Sequence, residues 1–209
     1  MIKNTIKLLG VLFIGVLVTA CSGTSSKTEA GSEESKENTG ETITHNIATD
    51  LSTVAWKGTM LGMYSHEGTV PLTEASLTTQ GESVVGGKFA VDLSGITPTD
   101  ANYDEKAGKG PAKLVGHLSS PDFFDVGSFP SASFEVTGSE GSTISGNLTV
   151  RGKTNPESVQ NVVFDKETGT ATGTLTFDRT KYDVSWKHPI QENVISDDIE
   201  LAIKLQVKG

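Results

Sequence analysis

The sequence has little cysteine and few aromatic residues: one cysteine, two tryptophans and three tyrosines stand among 209 residues. Because Cys21 is the only cysteine, the chain can form no internal disulfide and no cysteine-based metal cluster, and a folded domain beyond position 21 has no catalytic thiol. The apolar run at 8–18 is too short to span a bilayer stably. No internal repeat is evident.

Catalytic and metal-binding motifs are also missing. The four histidines form no HxH or HExxH spacing, no DxDxDG-type loop occurs, and no serine lies in a GxSxG elbow. His66 and Glu67 are a candidate pair of metal ligands, but we interpret them as a solvated pair in a turn. The sequence therefore gives no positive reason to expect an enzyme, and it predicts no cofactor and no metal site.

Basic residues are in short supply, since 17 lysines and arginines face 26 acidic residues and the formal net charge is −9. Loss of residues 1–20 would remove Lys3 and Lys7 and no acid, which changes that −9 to −11. Such a surface repels phosphate backbones, so nucleic acid is not an expected partner. It also repels anionic membrane faces, and any membrane attachment must come from covalent lipid.

The N-terminus has the layout of a secretory signal. Lys3 and Lys7 precede the apolar run, and Val18-Thr19-Ala20-Cys21 resembles the lipobox of bacterial lipoproteins, in which the cysteine takes a diacylglycerol after cleavage. We therefore predict a lipoprotein signal peptide at 1–20 and a lipid attached to Cys21. The alternative is an ordinary signal peptide with an incidental cysteine.

A polar linker and one folded domain are predicted to follow. Residues 21–46 are rich in Ser, Thr, Glu and Gly and have almost no apolar side chains, so we expect a disordered tether. Its length gives a typical reach of about 25–30 Å. The domain is assigned to residues 47–209.

The domain sequence alternates between apolar and polar residues. In 199–207 the odd positions are apolar, which is typical of a strand with one wet face. Similar segments separated by glycine-containing turns bring the number to about eight, and only 105–119 has helical spacing. An all-β fold is expected, either an eight-stranded antiparallel barrel with a short helical insert or a sandwich.

Five segments carry a resemblance to a known family. The most informative is GHLSSPDFFDVGSFPSASF at 116–134, and GGKFAVDLSGI, ISGNLTVRGKTNP, FDRTKYDV and DDIELAIKLQV surround it in order. Together they resemble the YceI-like lipid/polyisoprenoid-binding family over roughly residues 50–208. The resemblance favours the barrel over the sandwich, since it implies an elongated lipocalin-like barrel with an apolar tunnel and the helical insert at one end.

The resemblance also implies that part of the apolar face lines a tunnel for a chain-like lipid. Without it, the same side chains would simply be core. The candidate ligand-binding residues are Trp56, Met60, Phe89, Val91, His117, Phe123, Phe134, Leu148, Val150, Phe164, Phe177 and Leu201.

Several of the matched positions have two interpretations. His117 is either a polar group that meets a ligand head group or a histidine that ties the helix to a loop carbonyl, and we favour the second. Arg151 and Arg179 either form structural ion pairs, with Asp125, Asp178 or Asp183 as partners, or bind phosphate, and we favour the ion pairs. Phe123 and its neighbour Phe124 are a hydrophobic plug, a ligand contact, or both.

The leading hypothesis is a membrane-anchored, extracytoplasmic, non-catalytic protein that carries or sequesters an isoprenoid or another long-chain lipid. We expect it in the cell envelope, with the outer membrane favoured, facing the periplasm or the exterior. The first alternative is a structural module with a filled barrel, and the second is an envelope hydrolase with His117 as its best candidate residue. A homodimer is left open.

Overall fold

The computed structural model describes residues 40–61, 63–104, 106, 108, 110–186 and 195–209. The predicted signal peptide, Cys21 and the linker up to residue 39 lie outside the described residues. All described residues belong to one compact unit.

Strands dominate the described residues. In chain order they are β1 (Thr42–Asn46), β2 (Thr53–Met60), β3 (Tyr64–Val70), β4 (Leu72–Gln80), β5 (Ser83–Asp92), β6 (Thr97–Pro98), β7 (Ser131–Glu140), β8 (Thr143–Val150), β9 (Lys153–Asp165), β10 (Thr170–Asp178) and β11 (Ile195–Gln206). Three short 3-10 helices are described at Thr49–Leu51, Leu93–Gly95 and Arg179–Tyr182, and one α-helix, α1, at Pro111–Ser119.

The alternation in the sequence becomes the two faces of the sheet. On β10, Ala171, Leu175 and Phe177 are buried while the threonines between them are exposed. Successive side chains of a strand point to opposite faces, so this pattern turns the apolar set inward. The same rule explains why the sequence predicted strands here.

The sheet is antiparallel and curls back on itself. Its strand order is β1-β4-β5-β7-β8-β9-β10-β11-β2-β3-β6. β3 and β4 are separated only by Pro71, yet β3 pairs with β2 and β4 pairs with β5. One bent run of chain therefore serves both sides of the sheet and brings them together. The predicted antiparallel barrel fold is confirmed as a curled sheet.

The strand count differs from the predicted eight. β3 and β4 form a single run interrupted at Pro71, and the two additional strands, β1 and β6, are five and two residues long. Proline has no backbone N–H to donate to the ladder, so it divides the strand. A two-residue strand is too short to show any alternation.

The folded part of the chain begins earlier than predicted. β1 lies within the segment assigned to the disordered linker and pairs with β4, from Thr42 opposite Gln80 to Asn46 opposite Ser76. Ile47 continues it with a bridge to Val207. This strand could not be recognised in the sequence, because its one aliphatic residue, Ile43, is half exposed. Backbone hydrogen bonds to β4, which leave no sequence pattern, hold it in place.

Helix α1 is shorter than the predicted span of 105–119. Gly110 is extended and Pro111 occupies the first turn, where the missing N–H of proline costs nothing. At the other end, the backbone N–H of Ser120 donates to the carbonyl of His117, and the next residue is Pro121. Leu118 is buried and fixes the helix against the sheet.

We expect Gly146→Ala to lower the free energy of unfolding by about 1–3 kcal/mol. A Cβ at Gly146 would overlap the ring of Phe134 and lie 2.6 Å from the carbonyl oxygen of Glu135. Gly138→Ala is the matched control, because no atom lies within 4 Å of its added Cβ. Urea unfolding followed by tryptophan fluorescence measures both, and equal losses would contradict the close packing at Gly146.

Candidate functional site

The curled sheet encloses a cavity of about 950 Å³. Ligand pockets in proteins are typically about 300–1,000 Å³, so this one is at the large end of the range. Its wall is formed by the inward faces of the strands and by one side of α1. Of the predicted ligand-binding residues, those on the wall are Trp56, Met60, Phe89, Val91, His117, Phe123, Phe134, Leu148, Val150, Phe177 and Leu201.

Phe164 is the predicted residue that does not line the cavity. It is 8% exposed, and its ring lies 5.3 Å from that of His45 on β1. His45 packs against the Phe164 ring, which is buried without reaching the cavity wall. The sequence predicted a disordered linker where β1 lies, so the contact of His45 with Phe164 was not expected.

The two ends of the barrel differ in chemistry. Around Phe164, the wall consists of small and aliphatic side chains such as Ala171 and Leu205. At the other end, which we call the mouth, polar and aromatic side chains join the wall. The residues that define the mouth are Met60, Tyr64, His66, Tyr103, His117 and Trp186.

His117 places a polar atom in an aromatic part of the mouth. Its ring lies 4.4 Å from that of Trp186 and 5.5 Å from that of Phe123, both edge-on. Its Nε2 is buried and has no hydrogen-bond partner among the described residues. The sequence favoured a hydrogen bond from His117 to a loop carbonyl, and Nε2 makes no such bond to the described residues. A ligand that offers a hydrogen-bonding group would satisfy an atom that is otherwise costly to bury.

The charge state of His117 follows from its surroundings. Burial lowers the pKa of the imidazole below its ordinary value, and the nearby carboxylate of Asp122 opposes this only in part. A depressed pKa keeps the ring neutral near pH 7. A neutral imidazole can either donate or accept a hydrogen bond, depending on its tautomer.

A second polar group at the mouth is built around Asp100. The carboxylate accepts hydrogen bonds from the backbone N–H of Glu67 at 3.0 Å, from the Tyr103 hydroxyl at 2.9 Å, and contacts His66 Nδ1 at 3.2 Å. Burial raises the pKa of Asp100, but these bonds and one from the N–H of Asn102 outweigh it, so the pKa lies below the ordinary value. Asp100 is therefore a carboxylate that holds His66 in place.

The predicted position of His66 in a solvated turn is wrong. It lies within β3, its side chain is 21% exposed, and its ring stacks on that of Tyr103 with centroids 5.0 Å apart. Asp100 is 34 positions away in the sequence, in a loop without any recognisable pattern. Only the pairing of β3 with β6 brings that loop against His66.

The two matched arginines have structural roles, but their partners differ from those expected. Arg179 is 3% exposed and donates to the carbonyl of Val184 at 2.6 Å and to the carboxylate of Asp197 at 3.0 Å. Arg151 donates to three backbone carbonyls, those of Pro121, Phe123 and Asp183. Both guanidinium groups pin loops around the mouth, which a point-charge lysine could not do in the same geometry.

Phe123 and Phe124 act both as a hydrophobic plug and as part of the cavity wall. Phe123 is 5% exposed, the two rings meet edge-on at 4.9 Å, and both lie on the cavity wall. Arg151 holds the carbonyl of Phe123 at 3.0 Å, which fixes the segment that carries the pair. This geometry is compatible with both predicted roles, a hydrophobic plug and a ligand contact.

Two further features concern only the parts of the chain that the structure describes: metal-binding clusters and membrane-spanning helices. No group of three or more His, Cys, Asp or Glu side chains in those parts is arranged to hold a metal ion. Nor do they contain a helix whose length and apolar character would suffice to cross a membrane.

Residues 45–207 match the YceI-like domain family. The structure is similar to that of BcnA from Burkholderia cenocepacia, with a TM-score of 0.61 and 17% identity over 78% of this chain and 100% of that one. A polyisoprenoid-binding domain from Saccharophagus degradans, implicated in plant cell wall breakdown, has a TM-score of 0.47 and 10% identity over 78% of this chain and 98% of that one. A YceI protein from Campylobacter jejuni has a TM-score of 0.45 and 16% identity over 73% of this chain and 85% of that one. No sequence among the curated proteins matches.

The chain therefore belongs to the YceI-like domain family, as the motifs at 116–134 and beyond predicted. The match covers the curled sheet and the cavity but not the N-terminal segment. BcnA, whose whole chain aligns, shares the fold.

We expect the stability of the protein to fall as the pH decreases below about 6.5, with a contribution from His117. The folded-state pKa of His117 is depressed by burial, so the unfolded chain binds more protons, and stability present above the unfolded pKa is lost as the pH falls. Urea unfolding of the wild type and of His117→Phe, at about pH 7.5 and pH 5, measures this contribution. If the difference between the two proteins is the same at both pH values, the burial effect at His117 is refuted.

Proposed function

We propose that this protein is an extracytoplasmic, membrane-anchored carrier that holds a polyisoprenoid or a similar chain-like lipid and performs no chemistry on it. The observation that carries the proposal is the cavity of about 950 Å³ with an apolar wall. A barrel that served only as a scaffold would bring its inward side chains together, because packed interiors leave few voids larger than a water molecule. The filled-barrel alternative is therefore disfavoured.

The size of the cavity sets the size of the ligand. At roughly 30 Å³ for each water-sized group, it can hold about 30 heavy atoms, or about six isoprene units. A drug-sized ligand gains about 0.3 kcal/mol per heavy atom, which gives about 9 kcal/mol for such a chain. This corresponds to a dissociation constant below about 1 μM.

The shape of the wall favours a chain with its polar end at the mouth. Met60 lies at one end of the wall and Ala171 with Leu205 lies at the other, so the cavity runs along the barrel. Nε2 of His117, a buried polar atom without a hydrogen-bond partner among the described residues, is at the mouth. An apolar tail would fill the interior while a head group meets His117 or the His66–Asp100 pair.

Selection among lipids is expected to be loose. One methylene more or less in an apolar pocket changes binding by about 1–3 kcal/mol. The aromatic side chains Trp56, Phe89 and Phe134 offer a broad contact surface to an apolar tail and do not distinguish one tail from another by hydrogen bonds. The head group is the part of the ligand that the mouth can discriminate.

The non-catalytic part of the proposal is supported by the surroundings of His117. Its ring contacts aromatic side chains, and the Nε2 atom is not paired with a serine, threonine or carboxylate among the described residues. A side-chain nucleophile activated by this histidine would lie within hydrogen-bond reach of it. The arrangement suits a ligand contact better than a hydrolase.

Leu175→Trp tests the cavity directly. Leu175 lies on the wall and is 2% exposed, so a bulkier side chain would fill space that the ligand needs. We expect the affinity of the delipidated protein for parinaric acid or a polyprenol to fall about tenfold or more. Titration of parinaric acid fluorescence measures the affinity.

The control for this test is Thr176→Trp, on the same strand but on the exposed face. It should bind like the wild type. Native mass spectrometry of protein purified from its host should show a bound lipid, which Leu175→Trp lacks. Equal binding by the two variants would refute the cavity as the ligand site.

Membrane attachment through Cys21 is the second testable part. Cys21 lies outside the described residues, and the proposal for it depends on the lipobox-like sequence and the apolar run before it. Multiple acyl chains at about 0.8 kcal/mol per buried CH₂ would hold the protein on the membrane essentially permanently. We favour the outer membrane.

Replacing Cys21 by serine should move the protein from the membrane fraction to the soluble extracytoplasmic fraction. Metabolic labelling with a clickable fatty acid should mark the wild type and not Cys21→Ser. Retention of both the label and the membrane location in the variant would contradict lipid attachment at Cys21.

A further inference from the structure

The turn between β2 and β3 carries an exposed apolar surface. Leu61 is 51% exposed, Met63 58% and Tyr64 40%. Six large hydrophobic side chains are exposed among the described residues, and these three share one turn, whereas Ile43, Leu51 and Val163 are scattered. We call Leu61, Met63 and Tyr64 the hairpin tip. Single exposed apolar residues are ordinary, but a cluster indicates an interaction surface.

The hairpin tip is continuous with the cavity. Met60 and Tyr64 face each other across the hairpin, and both lie on the cavity wall. Leu61 and Met63 are not on the wall. The turn is held by a hydrogen bond from the N–H of Met63 to the carbonyl of Met60 at 3.1 Å. Apolar surface therefore extends from the interior through the mouth to the outside of the molecule.

The chemistry of the tip fits the surface of a lipid bilayer. It has no charged side chain, and the ionised side chains of the hairpin lie further along its strands, Lys57 on β2 and Glu67 on β3. Tyrosine is enriched where an apolar environment meets water, as it does at membrane interfaces. The chain carries a formal charge of −9, which favours a zwitterionic surface over an anionic one.

We propose that the hairpin tip docks the mouth of the cavity onto a zwitterionic bilayer, so that a lipid chain enters the barrel without crossing water. This inference rests on the proposed function and adds a route to it. A chain that leaves the bilayer through water must expose every methylene group, whereas a continuous apolar path avoids that exposure. The tip thus acts on the rate of loading and not on the equilibrium affinity.

Insertion of the tip can be observed at one position. In the full chain with Cys21→Ser, the variant Met63→Cys carries a polarity-sensitive fluorophore. The control is Val163→Cys, which is 59% exposed in the wild type and precedes the turn between β9 and β10. That turn contacts the end of β11, because the N–H of Val207 donates to the carbonyl of Gly169, and so it lies at the end of the barrel away from Met60.

We expect phosphatidylcholine vesicles to shift the emission of the label at position 63 to the blue, and not that of the label at position 163. Both positions belong to a chain with the same N-terminus, so attachment through residues 1–20 affects both variants equally. An equal shift at both positions, or no shift at position 63, would overturn the proposal.

The effect on loading is tested with a matched pair of double variants. Leu61→Ser with Met63→Ser removes the apolar tip, and Leu51→Ser with Val163→Ser removes two side chains of similar exposure elsewhere. We expect the first pair to slow the transfer of parinaric acid from phosphatidylcholine vesicles about tenfold. The second pair should transfer at the wild-type rate.

Equilibrium binding of parinaric acid without vesicles separates this inference from the proposed function. It should be unchanged in both double variants, because none of the four side chains lies on the cavity wall. If the wild type does not bind, the proposed function fails, and the label at position 63 still decides whether the tip docks. If all proteins bind and transfer at the same rate, docking is refuted.

Discussion

The curvature of the sheet is the constraint on which the rest of the structure depends. β3 and β4 are one run of chain across Pro71, and they pair with β2 on one side and with β5 on the other. Backbone hydrogen bonds thus hold opposite walls at a distance that their side chains do not span. Apolar residues that would otherwise form a filled core line a cavity of about 950 Å³ instead.

That arrangement leaves the interior incompletely packed. Side chains beside a void lose dispersion contacts on one side, so the unliganded protein forgoes stability that a packed core would provide. A ligand in the cavity would restore those contacts, and any ligand that binds only the folded state stabilises it by mass action. Ligand binding at this site and stability would therefore be coupled through the same apolar wall.

The mouth combines strand and helix ends with loops, and those loops must be held rigid. Two arginines provide this rigidity: Arg151 bonds to the carbonyls of Pro121, Phe123 and Asp183, and Arg179 bonds to that of Val184 and to Asp197. Charge-assisted bonds of this kind are shorter and stronger than those between neutral groups. His117 on the wall and the hairpin tip beside it are the polar and apolar features of this end.

The strands, the inward set of side chains and the family could be predicted from the sequence alone, because alternation and local motifs are short-range properties. Contacts between distant segments were decided only by the tertiary structure. β1 is held by backbone pairing, Phe164 is covered by His45, and Asp100 reaches His66 across 34 positions. Whether the apolar face encloses space or closes on itself is likewise a matter of sheet curvature, since the same alternating pattern is compatible with both.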